Sequence, residues 1–416
     1  MGSHDHEIVV LGAGVAGLTC ALYLQRSGHR ITVIDPQPPA SGTSYGNAGL
    51  ISNNTVVPIA APGMLRKVPG WLMDAKGPLA IRPSYLPLAA PWLLRWVKSS
   101  RMQRVLQISD AMRQLHSRSL DCWKELLGET LFNEFIHVVG QVRLWKQPTN
   151  GTRLELELCA RHGIAVEQLT ASDLQKMYPG LSREFNVGLL ISGNGYTVNP
   201  QRLVRTIGRL FVDAGGEIIA EKAMKLIPHG DQQGFTIMTN IANRTARNVI
   251  VATGAWSREL LDPLGVRVPL ETERGYHAMM PSPNISLPVP LTLKDSGFAL
   301  TSMEHGLRAA GTVEIGGLTA TPDLERAKIL VEHTKKIFPG LKTDKPVYWM
   351  GHRPSTPDSL PVVGAVPEIP GLYLDLGHGH FGMTGGPSTG RLIRDLINDK
   401  PAGIDPEPYS YLRFSN

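Results

Sequence analysis

Glu7-Ile8-Val9-Val10-Leu11-Gly12-Ala13-Gly14-Val15-Ala16-Gly17 is the stretch whose reading decides the fold. A short apolar run rich in β-branched residues reads as a buried strand. It breaks at Gly12 into G-x-G-x-x-G, and Leu18 to Leu24 continue as a helix. Gly12 permits a tight turn, Gly14 lets backbone approach a pyrophosphate, and Gly17 lets the helix pack on the strand with its amino terminus aimed at the phosphates. The next strand, Ile31-Thr32-Val33-Ile34, ends at Asp35, the place where this fingerprint wants an acid for ribose hydroxyls. Strand, glycines, helix, strand and acid in that order predict a dinucleotide-binding unit.

The remaining composition bounds the function. A chain of 416 residues has room for a large core and about two to three domains. The formal charge of +6 is modest, and the basic residues are scattered rather than striped, which argues against nucleic acid as a partner. Cys20, Cys122 and Cys159 lie far apart, offer no metal-ligand spacing and fit a reducing compartment. No metal is expected. The polar opening from Met1 to His6 reads as no signal peptide, and no run qualifies as a membrane span. The expectation is a cytoplasmic protein, with peripheral contact to the cytoplasmic face of the inner membrane as an extension of it.

That extension comes from residues 56 to 97. Pro58, Pro62, Pro69, Pro78, Pro83, Pro87 and Pro91 predict that no long helix runs there. Trp71, Trp92 and Trp96 stand among them beside Arg66, Lys67 and Arg95, the composition of a membrane-interface patch or of an irregular packed segment. Further on, Val138 to Trp145 reads as a strand, and Asn199-Pro200 caps a helix carrying Leu203, Val204, Ile207, Leu210 and Phe211. A hairpin through His229-Gly230-Asp231 follows, then a buried strand running into Ala252-Thr253-Gly254. Strand-like segments fill Val268 to Ile315, and Leu324 to Ile337 reads as a helix. The nucleotide elements lie at both ends and in the middle, which divides the chain into a discontinuous nucleotide domain, 1–55, 200–265 and 345–416, and a substrate domain, 56–199 and 266–344. Arg308, in an apparent strand, reads as a solvated or paired face residue.

Taken in order, Gly12 to Gly17, Thr43-Ser44-x-x-Asn47-Ala48-Gly49, Ala252-Thr253-Gly254-Ala255-Trp256, Gly311-Thr312-x-Glu314, Arg353-Pro354 and Gly377-His378-Gly379 resemble the D-amino acid oxidase superfamily of FAD enzymes, closest to bacterial D-amino acid dehydrogenases. The resemblance implies an α/β fold, a Rossmann-type FAD-binding domain with a doubly wound sheet and an inserted α+β substrate domain on a mostly antiparallel sheet. It implies that FAD is held by Gly12, Gly14, Val15, Ala16, Asp35, Pro36, Thr43, Ser44, Asn47, Ala48, Gly49, Leu50, Met224, Ala252, Thr253, Gly254, Gly379, Phe381, Gly382, Met383 and Thr384. Cysteine is absent from 160 to 416, so the FAD is expected to be non-covalent.

The same resemblance makes Arg353 the clamp for a substrate carboxylate, a task for which a planar guanidinium is suited. His380 is the second catalytic candidate, and Phe298, Val313 and Tyr276 join these two as substrate-binding candidates. Two departures bear on substrate. Phe298 stands where the family commonly has tyrosine, and His380 stands where glycine oxidase relatives have arginine. The implied reaction is oxidative deamination of D-amino acids, D-proline and hydroxy-D-proline among the candidates, by hydride transfer from Cα to flavin N5 with a quinone as the final acceptor. The alternatives are an oxygen-using oxidase of sarcosine, glycine or another secondary amine, and a flavin-binding redox sensor without turnover.

Overall fold

The computed structural model describes residues 6–64, 68–74, 76–230 and 234–415; Leu65, Arg66, Lys67, Asp231 and residues 1–5 lie outside the described residues. The strands that position the site are, in chain order, β1 (His6–Leu11), β2 (Ile31–Ile34), β3 (Gln141–Trp145), β4 (Glu217–Ile219), β5 (Ala223–Pro228), β6 (Phe235–Thr239), β7 (Asn243–Val251), β8 (Glu271–Met280), β9 (Leu291–Leu293), β10 (Phe298–Met303), β11 (Gly306–Ile315), β12 (Val347–Ser355) and β13 (Leu372–Leu376). The helices are α1 (Val15–Arg26), α2 (Leu86–Ser99), α3 (Pro200–Asp213) and α4 (Gly382–Ile397).

The apolar end of β1 is fully buried because it is the middle of a parallel sheet, paired with β2 on one side and β7 on the other. The parallel order is β4-β2-β1-β7-β13. The first half of β7 instead pairs antiparallel with β6, which forms a hairpin with β5. Helix α1 is buried from Val15 to Leu24 and packs with α3 and α4 on one core. Two glycines set its position. Gly12 has φ +111, and a Cβ there would lie 2.4 Å from the Ala252 carbonyl oxygen. A Cβ on Gly17 would lie 2.0 Å from the oxygen of Gly12.

A second, nine-stranded sheet carries the order β12-β8-β11-β10-β9-β3. It is mostly antiparallel, with β9 and β3 parallel. Every residue of β8 is buried, and the helix Glu325–Ile337 packs against this sheet. β12 falls within 345–416 yet forms an edge of this second sheet. The chain thus crosses from one sheet to the other between β12 and the strand Val362–Ala365, which pairs antiparallel with β13.

Two expectations are corrected. Helix α2 runs for 14 residues through the proline-rich stretch. Pro87 sits in its first turn, where no N–H is needed. Pro91 faces water, so the carbonyl it leaves unpaired can be hydrated. Trp92 is an inward anchor rather than an interface residue, buried with its Nε1 donating to the Ser355 carbonyl at 3.1 Å. Trp71 and Trp96 line the central cavity. Arg308 is neither solvated nor salt-bridged among the described residues. It is buried and donates to the carbonyls of Tyr45 and Asn47 at 3.1 and 3.0 Å, which ties the 43–50 loop to β11. Burial draws its guanidinium down to about 10. No helix among the described residues is long and apolar enough to cross a membrane.

The crossing of α1 and α4 is a tight joint in the first core. A Cβ on Gly390 would lie 2.7 Å from the Cys20 nitrogen, and Thr19 Oγ1 donates to the Gly386 carbonyl at 3.1 Å. Gly390→Val should therefore cost about 1–3 kcal/mol, read as a lower urea midpoint. Gly340→Ala, at an exposed position where a Cβ meets no neighbouring atom, should leave the midpoint unchanged.

Candidate active site

A cavity of about 1620 Å³ lies between the two sheets. One end is built on the carboxyl edge of the parallel sheet, where a doubly wound sheet places ligands. There the turn after β1, the end of β2, the 42–50 loop, Ala252–Gly254 and the start of α4 meet. The amino termini of α1 and α4 both open onto this end, presenting the positive ends of two helix dipoles. Ser44 Oγ accepts from Val15 N at 2.9 Å and fixes the loop on the α1 terminus. Asp35 accepts from Ala13 N at 2.7 Å on one oxygen and from Gln37 N at 2.8 Å on the other. Each oxygen keeps acceptor capacity for a hydroxyl. Burial lifts the Asp35 carboxyl above its ordinary value against those two N–H groups.

Every residue expected to hold the cofactor lines this cavity except Met224. The β5 register shifts between Ala223 and Lys225, and the Met224 side chain is exposed. Lys222 and Ala223 form the wall instead. A cradle in which glycine Cβ atoms would collide with backbone, with two helix termini and a ribose-ready acid, fits a dinucleotide.

The other end is built on β8, β11 and β12. Arg353 lies in strand β12; an edge strand tolerates Pro354 because its missing N–H costs no ladder bond. Arg353 Nη1 donates to the Thr312 carbonyl at 2.9 Å and Nη2 to the Gly311 carbonyl at 3.4 Å. Thr312 holds φ +54, an uncommon conformation for a β-branched residue. A Cβ on Gly275 would lie 2.1 Å from Arg353 Cζ, so the guanidinium rests on a glycine floor. No described carboxylate lies within ion-pair distance of Arg353. Glu273, its register partner on β8, is the nearest in electrostatic effect. Burial draws the guanidinium below its ordinary value and Glu273 pulls it back.

His380, Phe298 and Val313 share this end of the cavity. Tyr276 does not, which corrects that expectation. Successive residues of β8 point to opposite faces, so Tyr276 faces away from Gly275 and Glu273. Its hydroxyl donates to Glu314 in the core of the second sheet, where burial pushes it up to about 12.

Two features had no sequence motif. Glu273 bonds His380 Nε2 at 2.6 Å and lines the cavity beside Arg353. Burial raises this carboxyl, but His380 and Arg353 more than offset it and hold it below its ordinary value. The only signal was a charged residue inside a strand otherwise destined for burial. The second is a neutral polar floor. Asp375 is buried 3.3 Å from His378 Nε2, and burial pushes its carboxyl up to about 7. Burial likewise draws His378 and His116 down to about 4.

Gly275→Ala would force the guanidinium off its floor. The expected result is a loss of affinity for simple carboxylates of about 10- to 100-fold, read by titrating the visible spectrum of the protein. A second expectation concerns pH. The native state keeps on Asp375 a proton that the unfolded chain releases above 3.8, so stability falls as pH rises from 3.8 to about 7. Asp375→Asn should remove that part of the slope in urea titrations across the window.

Comparison with known proteins agrees with this geometry. The model of the family described as FAD dependent oxidoreductase, DAO, matches residues 7–396. The chain is 36% identical over 416 residues to a D-amino-acid oxidase of Bradyrhizobium diazoefficiens, covering 98% of this chain and 99% of that protein. It is 30% identical to a D-amino acid dehydrogenase of Rhizobium johnstonii, covering 98% and 100%. Among solved structures, the L-proline dehydrogenase of P. horikoshii superposes with a TM-score of 0.76 at 20% identity over 100% of this chain and 99% of that one, a likeness of fold. With the cavity, its glycine cradle and these full-length relatives in agreement, the chain belongs to the DAO family of FAD-dependent oxidoreductases.

Proposed function

We propose that this protein oxidises D-amino acids at Cα, producing imino acids, and passes the electrons to a quinone-type acceptor. The observation that carries the reading is Arg353, a recessed guanidinium at the cavity wall, held by two backbone carbonyls and left without an ion pair among the described residues. Such a group needs an anion, and its fork matches a carboxylate in two-point fashion. The names of the two full-length relatives support D-amino acids as the substrate class.

In this reading the α1 turn, Asp35, the 43–50 loop and the start of α4 hold FAD, which supplies the hydride acceptor when bound. Arg353 fixes the substrate carboxylate, so that one enantiomer turns its Cα–H toward the cofactor and the other turns its side chain there. Phe298 and Val313 shape the space for that side chain. The amino terminus of α4 stabilises negative charge developing beside it. The Cα–H bond gives up its electron pair, and the amine lone pair closes the C=N bond. A primary imino acid hydrolyses to a 2-oxo acid and ammonia, while a cyclic one such as that from D-proline persists as the ring imine.

The acceptor divides this reading from its nearest rival, because one relative is named an oxidase and the other a dehydrogenase. For quinone, the outer side of α2 exposes Leu88 and Leu94 beside Arg95 and Lys98, a surface suited to peripheral contact with an anionic bilayer. An oxygen-using oxidase would form peroxide rapidly in air with no demand for quinone.

Anaerobic bleaching of the flavin band by paired D- and L-amino acids tests the substrate class. Bleaching by D-forms alone is the expected outcome; bleaching by L-forms or by sarcosine alone sinks the reading. Arg353→Ala should raise KM for D-amino acids on the order of 100-fold, the loss of a charge-assisted contact worth about 3 kcal/mol. An unchanged KM would place the clamp elsewhere.

A further inference from the structure

We infer that Glu273 and His380 form a proton-accepting pair, in which Glu273 holds the imidazole by Nε2–H and leaves Nδ1 to take a proton from the substrate's α-ammonium group. The inference rests on the carboxylate-on-Arg353 reading above and adds to it a base that no sequence motif announced.

The geometry is specific. Glu273 and Arg353 are opposite each other across the β8–β12 ladder, and both line the cavity. The turn that carries His380 is pinned to the end of β12: Gly379 N donates to the Pro354 carbonyl at 2.8 Å, and His378 bridges Ser355. The turn therefore cannot drift away from the guanidinium. His380 Nε2 lies 2.6 Å from Glu273 Oε2. An ionised carboxylate only accepts, so this nitrogen carries the hydrogen, and in the neutral imidazole the lone pair is then on Nδ1. Glu273 meets that condition, since His380 and Arg353 hold its carboxyl below the ordinary range against burial. His380 Nδ1 has no hydrogen-bond partner among the described residues, and His380 is exposed. It is open for a ligand. A carboxylate that orients an imidazole and stabilises its cation is a recurring device for making a base.

The charges around the pair leave few alternatives. Arg353 faces it from β12, and His378 stands on its own turn, neutral because burial draws it down to about 4. Behind the pair lies a small space lined by Ile59, Trp96, Ser355, Thr356 and Ser359, none of them charged. An amino acid whose carboxylate sits on Arg353 carries its ammonium group one carbon away, within the field of Glu273.

The step balances. The N–H bond of the ammonium breaks, its electron pair stays on nitrogen as the amine lone pair, and the proton goes to His380 Nδ1. The substrate becomes the neutral amine that can form C=N as hydride leaves Cα for the bound FAD. Nothing is oxidised in the proton transfer itself. In this arrangement His380 is a catalytic residue and Glu273 a positioning residue.

The test uses FAD-loaded protein and two unreactive probes of similar shape. 2-Aminoisobutyrate has the ammonium group but no Cα–H, and isobutyrate has the carboxylate alone. Glu273→Gln and His380→Gln should bind isobutyrate as the parent does, because Arg353 is intact, and should bind 2-aminoisobutyrate at least 10-fold more weakly at neutral pH. In rapid anaerobic mixing with a D-amino acid, both variants should reduce the flavin about 100-fold more slowly near pH 7, the usual contribution of a positioned base. The rate should recover as pH rises toward that of free amine, so the pH profile moves upward. Equal loss of both probes would overturn the inference and assign Glu273 to building the Arg353 site. An unmoved pH profile would overturn it as well. Failure of the parent reading looks different: the parent protein would not bleach with D-amino acids, or Arg353→Ala would leave isobutyrate binding unchanged.

Discussion

The site depends on how closely three stretches of backbone approach one another: the turn at Gly12, the first turn of α1 at Gly17 and the end of β7 at Ala252. A side chain at Gly12 or Gly17 would strike a carbonyl oxygen at 2.4 or 2.0 Å. These are backbone collisions, which no rotamer change can relieve. Because the stretches meet without side chains between them, the N–H groups at the start of α1 reach the cavity. Ser44 can then cap Val15 N from a loop 29 residues away, and Asp35 can grip Ala13 N. The loop that Ser44 anchors is also tied to β11 by buried Arg308. One close approach in the first sheet thereby fixes a contact with the second.

The two ends of the cavity solve opposite electrostatic problems. The dinucleotide end must receive a polyanion, and it supplies helix termini and N–H groups. Burial there pushes the carboxyl of Asp375 up to about 7 and draws His378 down to about 4. The substrate end must receive a zwitterion, and it keeps charges of both signs. A guanidinium taken out of water with no ion-pair partner is costly. Here the cost is offset by two carbonyls, one of them on strained Thr312, and by the nearby field of Glu273. The arrangement leaves the fork satisfied along one edge and short of an anion along the other.

What could be read in the sequence follows from whether its signal is local. The nucleotide cradle was legible because turn, helix start and acid lie within one βαβ unit, and each glycine has a backbone reason. The second sheet was legible only as a run of strand-like segments, since its pairing joins β3 to β9 across nearly 150 residues. Prolines in α2 misled because they forbid a helix only where the missing N–H is buried, and burial of a helix face is set by tertiary packing. Met224 and Tyr276 misled for a different reason. A one-residue bulge or the alternation of a strand decides which way a side chain faces, and neither is visible without the register. Glu273 was invisible because its meaning comes from neighbours more than 70 residues away on β12 and the 378–381 turn.

That last point explains why the substrate end is assembled from the ladder between β8 and β12 rather than from a single loop. On one face of β8, alternate residues are Glu273 and Gly275, an acid and an absence. On the facing edge strand, Arg353 stands opposite the acid and lies over the absence. Period-two alternation guarantees that a residue two positions along occupies the same face. Removing a side chain at that position is therefore the simplest way to lay a long guanidinium flat while an acid stays beside it. A register slip of one residue would turn both Glu273 and Gly275 away together and present Arg274 and Tyr276 in their place. The bulge between Arg274 and Tyr276 on the β11 side breaks that ladder where Thr312 turns its carbonyl toward Arg353. The irregularity in one ladder and the strict register in the other thus serve a single geometry.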